Sequence, residues 1–374
     1  MIGECSTKLQ EMQTARCNGT STGGYPPVPV PVVCGAPFNV DIVENNAFIQ
    51  NGTQNNYTQL KDQVFWLMTN YSPGNGYQNL TAYDGCTGAL LKDFNVFTAT
   101  GRYLSGLGME IDPAGILWCQ VLTAGVVSEP LWLNFNTATD ACTLIIPKDG
   151  TYRIDDSRVV NDLANNAVWI EKSSTLIKRD VTSGAETTTI ACTTSDWPEL
   201  DTANYRMWIF NINSALSDTE VYDASTGALL TTITTTTPDD AFWAFYNVTR
   251  SEMVVNYYHA SGTLVEIYDT DTYALKLSKN TSDYGADEAG RILGYISSTD
   301  EYVMMLENTS ASTTQLVFLN ATTLAINDAY DTGVLSGNPL TTLMLALKTD
   351  NLSAYTVVAE PGYINNKLIR VVRP

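Results

Sequence analysis

The sequence predicts an all-β fold made of repeated four-stranded antiparallel sheets, and three observations predict it. A nine-residue stretch, YDASTGALL at 222–230, is nearly duplicated as YDGCTGALL at 83–91. Four further copies align with it: FNTATDACT (135–143), RDVTSGAET (179–187), YDTDTYALK (268–276) and LNATTLAIN (319–327). Between copies, short runs rich in β-branched and aromatic residues alternate with turn residues, as strands and turns do.

The second position of the motif is Asp or Asn in all six copies: Asp84, Asn136, Asp180, Asp223, Asp269 and Asn320, spaced by 52, 44, 43, 46 and 51 residues. The fifth is Thr or Ser, and the seventh is Ala each time (Ala89, Ala141, Ala185, Ala228, Ala274, Ala325). The motif reads as a hairpin. A strand ends at an Asx residue whose side chain bonds backbone amides two residues on, and Gly at the sixth position supplies the positive φ that closes the turn. Gly88, Gly184 and Gly227 fit; Asp140, Tyr273 and Leu324 stand in the same place, so those turns are expected to close differently or to bear strain.

Two further strands precede each hairpin. FWAFYNV (242–248), EMVVNYYHA (252–260), TLVEIYD (263–269) and ALKLS (274–278) make one set; RILGYIS, EYVMMLE, TQLVFLN and LAIND make the next between 291 and 328. Four short strands per repeat is the unit of a β-propeller blade. The last repeat has TTLMLALK, AYTVVAE and KLIRVVRP but no fourth strand, and Arg373 lies 53 residues after Asn320, in the Asx register. An early segment, PFNVDIV or NAFIQ within 37–50, is expected to supply the missing strand and close the ring. Six motifs and this truncated copy predict seven blades over residues 38–374, preceded by an arm at 1–37.

On these residues the chain resembles the seven-bladed propellers of the YVTN and quinoprotein-like repeat type, whose outer hairpin often reads as a strand followed by D-x-x-T-G. The resemblance spans residues 38–374 and implies a scaffold more than a catalyst. Quinone-holding members need a pocket whose signature residues are not found, so no cofactor is expected. With no Trp-Asp or Gly-His dipeptide, the chain does not read as a WD40 repeat.

Composition narrows the partners. Forty acidic against twenty basic residues give a charge of −20, which disfavours nucleic acid and anionic membranes. No run of about 18 apolar residues predicts a spanning helix. The first residues, MIGECSTKLQEMQTARC, interleave charges and show no secretory signal, so the product is expected to be made in the cytoplasm. The sequons at Asn18, Asn79 and Asn247 then read as by-products of an Asn- and Thr-rich composition.

Catalytic, cofactor and metal residues are expected to be none. The seven cysteines (Cys5, Cys17, Cys34, Cys86, Cys119, Cys142, Cys192) form no CxxC pair and read as buried thiols or disulfides. The one histidine, His259, falls at a predicted turn between second and third strands. Carboxylate pairs at Asp155-Asp156, Asp239-Asp240, Asp269 with Asp271, and Asp287-Glu288 lack a calcium-loop pattern and read as solvated loop charge. No phosphate loop occurs; GRYLSGLG (101–108) has the wrong spacing. The aromatic runs YRMWIF (205–210) and AFWAFY (241–246) alternate as core strands do, in preference to a sugar platform.

The expected function is therefore a non-enzymatic structural or adaptor subunit of a larger assembly, attached to other protein subunits through residues 1–37, with a phage virion (tail or head-associated) as the expected setting. The arm holds Pro27, Pro29 and Pro31, which favour an extended, polyproline-like course. Two alternatives stand beside it. One is a propeller binding carbohydrate or a host receptor through its loops; the other is a lyase or hydrolase sited in the central channel, drawing on Arg158, Arg250 and Arg291.

Overall fold

The computed structural model describes residues 39–45, 58–61, 64–72, 76–84, 90–111, 115–123, 126–145, 159–171, 175–180, 183, 185–191, 197–210, 218–234, 241–259, 262–285, 288–308, 313–335, 348–349, 353–359 and 366–372. The expected arm at 1–37 lies outside them, as do NAFIQ, Arg158 and the pairs Asp155-Asp156 and Asp239-Asp240.

After β1 (Asn39–Asn45) the strands come in groups of four. The first two groups are β2 (Thr58–Lys61), β3 (Val64–Ser72), β4 (Gly76–Asp84), β5 (Leu90–Asn95), then β6 (Tyr103–Ile111), β7 (Ile116–Thr123), β8 (Val126–Asn136), β9 (Cys142–Ile145). The third and fourth are β10 (Val159–Asp162), β11 (Ala167–Glu171), β12 (Thr175–Asp180), β13 (Glu186–Ala191), then β14 (Trp197–Asp201), β15 (Arg206–Phe210), β16 (Asp218–Asp223), β17 (Leu229–Thr234). The fifth and sixth are β18 (Ala241–Asn247), β19 (Glu252–His259), β20 (Gly262–Asp269), β21 (Leu275–Asn280), then β22 (Glu288–Ile296), β23 (Glu301–Asn308), β24 (Thr313–Asn320), β25 (Ile326–Leu335). Last come β26 (Lys348–Thr349), β27 (Ser353–Ala359) and β28 (Asn366–Val372). Each group is an antiparallel meander. The final sheet runs β1-β28-β27-β26, with Asn39 opposite Val372 and Asn45 opposite Lys367.

Seven separate blades were expected; the described strands form six sheets. Five have four strands and one has eight, because the first two groups are joined by a single antiparallel bridge, Tyr77 opposite Leu104 between β4 and β6. The cause is local. Gly76 has φ 118°, and a Cβ there would lie 2.5 Å from the Leu104 carbonyl oxygen. Only a residue without a side chain lets the two backbones approach this closely.

The first strands of successive groups pack side by side: β2 on β6, β6 on β10, β10 on β14, β14 on β18, β18 on β22, β22 on β26, and β26 back on β2. Burial lies between sheets. On β19, Val254 packs with Ile292, Tyr302 and Met304 of the next sheet, while Met253 and Val255 pack with Trp208 and Phe210 of the preceding one. A strand covered on both faces needs a near-continuous apolar run, and MVVNY and YVMML supply it. Each such side chain contributes about 1.5–3 kcal/mol of transfer free energy.

Polar side chains are also buried in that interface, Asn256 among them. Asn256, wholly buried, accepts from the Ile292 amide at 2.8 Å and donates to the Trp243 and Ile292 carbonyls at 3.4 Å. Both partners flank β-bulges, Ala241/Trp243 and Ile292/Gly294. A bulge frees backbone groups from the ladder, and Asn256 satisfies them without water.

Candidate functional site

The repeated hairpins join the third and fourth strands of each group, and their chemistry is now explicit. Asp223 Oδ1 accepts from the Ser225 and Thr226 amides at 2.7 and 3.0 Å; Asp269 Oδ1 accepts from Asp271 and Thr272 at 3.1 and 2.8 Å. Asn136 and Asn320 do the same with a side-chain amide oxygen, at 3.0–3.1 Å. The Asx amide donates to the carbonyl of the invariant alanine at 2.9 Å in all five described copies. Fifth-position hydroxyls complete the turn, with Thr226, Thr272 and Thr323 accepting from that alanine's amide at 3.3–3.4 Å.

The sixth position is left-handed whatever occupies it: Gly227 φ 76°, Asp140 61°, Tyr273 62°, Leu324 55°. The turns without Gly thus close in the same way and carry the backbone strain. Their side chains are held by the preceding group. Tyr273 stacks under the Arg206 guanidinium at 5.0 Å and beside Trp208, Asp140 pairs with Lys92, and Leu324 is buried, its carbonyl accepting from the Tyr284 hydroxyl at 2.7 Å. Burial lowers Lys92 to about 8.

A second turn motif, between first and second strands, escaped the sequence reading. Asp162 accepts from Asn165 Nδ2 at 2.7 Å and Asp201 from Asn204 Nδ2 at 3.0 Å, each at the end of a first strand. Four residues on, Asn166 and Tyr205 are left-handed (φ 51° and 55°), as are Ser251 and Asp300 in the following groups. The D-x-x-N spacing in DLAN and DTAN was the available signal, diluted because later copies read NVTR and ISST. Inner and outer turns are bonded together: the Ala224, Thr270 and Ala321 amides donate to the Tyr205, Ser251 and Asp300 carbonyls at 3.0–3.1 Å. They also cross to neighbouring sheets. The Tyr205 hydroxyl donates to Asp162 at 2.5 Å, Asn204 Nδ2 to Asp271 at 2.8 Å, and Arg206 Nη1 to the Thr270 carbonyl at 2.5 Å.

The candidate residues fall as follows. Arg250 is clamped by Glu252 (2.9 Å) and Asp300 (2.6 Å) in a turn, while Arg291 lies on β22 with its guanidinium 5.5 Å from the Trp243 ring. His259 ends β19, paired with Gly262 in the hairpin. Cys119 and Cys142 are free thiols, both pushed up in pKa by burial. Among the described residues no three His, Cys, Asp or Glu side chains are grouped to hold a metal, and no helix is long and apolar enough to cross a membrane. Trp208, Phe210 and Trp243 are core side chains, so those aromatic runs offer no sugar platform there. Asn247 of one sequon is buried, with its Nδ2 donating to the Tyr302 hydroxyl at 3.1 Å.

Exposed large apolar side chains at the turn end include Val248 of an inner turn, 61% exposed, and four at the rim. Leu90, Leu229, Leu275 and Ile326 each begin a fourth strand, opposite Tyr83, Tyr222, Tyr268 and Leu319, and are 59%, 52%, 50% and 43% exposed. Isolated exposed leucines are ordinary on a protein surface. Four at one register position form a row.

The aspartate turns make acid stability a test of the motif. Asp223 is held below the usual carboxylate range by the Ser225 hydroxyl and amide, and Asp269 by the Thr272 amide. A depressed folded pKa contributes stability above the unfolded value, about 3.9, that is lost as pH falls through the folded one. The double variant Asp223→Asn/Asp269→Asn, copying Asn136 and Asn320, should show a smaller drop in melting temperature between about pH 5 and about pH 3 than the parent. An unchanged drop would assign the acid sensitivity to other carboxylates.

No protein-family model matches the chain, and no curated protein matches it. Among solved structures, a chain of the mitotic checkpoint complex superposes with a TM-score of 0.59 at 9% identity, over 95% of this chain and 98% of its own length. BamB from Moraxella catarrhalis gives 0.49 at 12% identity over 88% and 99%. The dihydro-heme d1 dehydrogenase NirN gives 0.48 at 13% identity over 73% and 56%. At such identities a likeness concerns fold alone, and that to the checkpoint-complex chain, with the radial packing of the sheets, identifies the chain as a β-propeller of four-stranded antiparallel blades.

Proposed function

We propose that the protein is a non-enzymatic propeller platform, a structural or adaptor subunit attached through residues 1–37 to other proteins of a larger assembly, with a phage particle as the setting. The observation that carries this reading is how the ionisable side chains of the turn face are used. Arg250, Glu252, Asp300, Asp162, Lys178 and Asp271 each bond a residue of a neighbouring sheet, which suits a rigid carrier. We propose seven blades for this platform, although the described strands form six sheets. The eight-stranded sheet is two meanders meeting at one bridge, and seven first strands follow one another round the circuit.

The test is assembly. A chain lacking residues 2–37, supplied in place of the full chain while particles form, should keep the near-ultraviolet circular dichroism of a folded ring and be missing from purified particles. Its presence there at the normal level would defeat the proposal.

A further inference from the structure

We propose that residues 25–38, the part of the arm next to the ring, dock on the chain's own outer rim against the exposed apolar side chains on either side of their exit, Ile326 and Leu90. This deepens the attachment reading, since a stapled inner half would give residues 1–24 a fixed point of departure.

Register places the exit. In the final sheet β1 takes the fourth-strand position, and its first residue, Asn39, lies opposite Val372. In the other groups the first residue of the fourth strand is Leu90, Cys142, Glu186, Leu229, Leu275 or Ile326, in each case opposite the residue before the Asx position. Val372 likewise precedes Arg373, the residue in the Asx register. The polypeptide therefore enters β1 at the level of the exposed row, from the turn end. The circuit of first strands sets β26 between β22 and β2, so the sheets carrying Ile326 and Leu90 flank that exit.

Chemistry and length fit the same site. Residues 25–38 read YPPVPVPVVCGAPF, with no charged side chain in a protein of charge −20. Such a segment suits an apolar row better than the charged turns beside it. Five prolines restrict it before docking, which reduces the ordering entropy. Fourteen residues at about 3.1 Å each reach about 43 Å, well beyond the roughly 10 Å between packed sheets.

The experiment uses the full isolated chain and a protease that cuts after small apolar residues, at Val32 and Val33. Because cleavage follows the open fraction, docking should slow it at least about tenfold relative to a synthetic 25–38 peptide. Leu90→Asn/Ile326→Asn should restore cutting to the peptide rate, whereas Leu229→Asn, on a sheet not adjacent to the exit, should leave the segment protected. Val30→Asp/Val32→Asp, cut at Val33, provides a release variant that does not touch the ring. Peptide-like cutting in the parent, or protection surviving both double variants, overturns the proposal. Protection that vanishes on about hundredfold dilution also overturns it, because the rim used would be a second copy's. Particle incorporation plays no part in this readout, so the docking and the attachment reading can fail separately.

Discussion

Replacing Gly227 by alanine should lower stability by about 3 kcal/mol, read as a shift of the urea midpoint followed by intrinsic fluorescence. Two costs act together. At φ 76° any side chain is in the left-handed region, and the new Cβ would sit 2.4 Å from the Thr189 carbonyl oxygen and 3.3 Å from its carbon. Thr189 belongs to β13 of the preceding sheet, so the clash is with backbone and is relieved only if two sheets separate. The same position tolerates Tyr273 because there the preceding sheet offers Arg206 and Trp208 as partners. Tyr273→Gly should therefore also destabilise, by about 1–2 kcal/mol, despite removing the backbone strain. A Gly227→Ala chain within about 0.5 kcal/mol of the parent would refute the view that this hairpin is wedged against its neighbour.

Glu252→Ala should cost about 3 kcal/mol, at the lower end of the range for breaking a buried ion pair. The carboxylate is wholly buried, accepts from Arg250 Nε at 2.9 Å and from the Tyr302 hydroxyl, and is ion-paired with Lys276 Nζ at 2.6 Å. Removing it leaves two cations side by side, discounted here because Arg250 and Lys276 are 21% and 35% exposed and Arg250 keeps Asp300. Tyr302 and Asp300 come from the next sheet, so the loss falls on the junction between the β18–β21 and β22–β25 sheets. A cycle pairing Glu252→Ala with Tyr302→Phe should show coupling above about 1 kcal/mol. Independent, additive effects would mean that the carboxylate serves its own sheet alone.

Much of this arrangement was legible from residue order. The nine-residue motif carries its own hydrogen bonds: Asx oxygen to following amides, Thr hydroxyl to the alanine amide, alanine carbonyl back to the Asx amide. Its recurrence located the hairpins, and the aromatic runs around Trp208 and Trp243 read correctly as core. The fused eight-stranded sheet was not legible, because it depends on Gly76 meeting the backbone of Leu104, 28 positions away. Nor was the use of Arg250, whose partner Asp300 lies 50 residues on. The exposed row was hidden for a similar reason: Leu90 and Leu91 look alike in sequence, yet one faces solvent and the other packs on the core.

The sequence by itself determined the repeat, its run of strands and the Asx and hydroxyl bonds of the described outer turns, because those interactions run between residues a few positions apart. Tertiary structure decided which sixth position must be Gly, which leucines stay in water and which charges pair. Each of those depends on what a sheet some 43 to 52 residues earlier or later sets against the site. Packing between sheets, not propensity within one, sets that outcome.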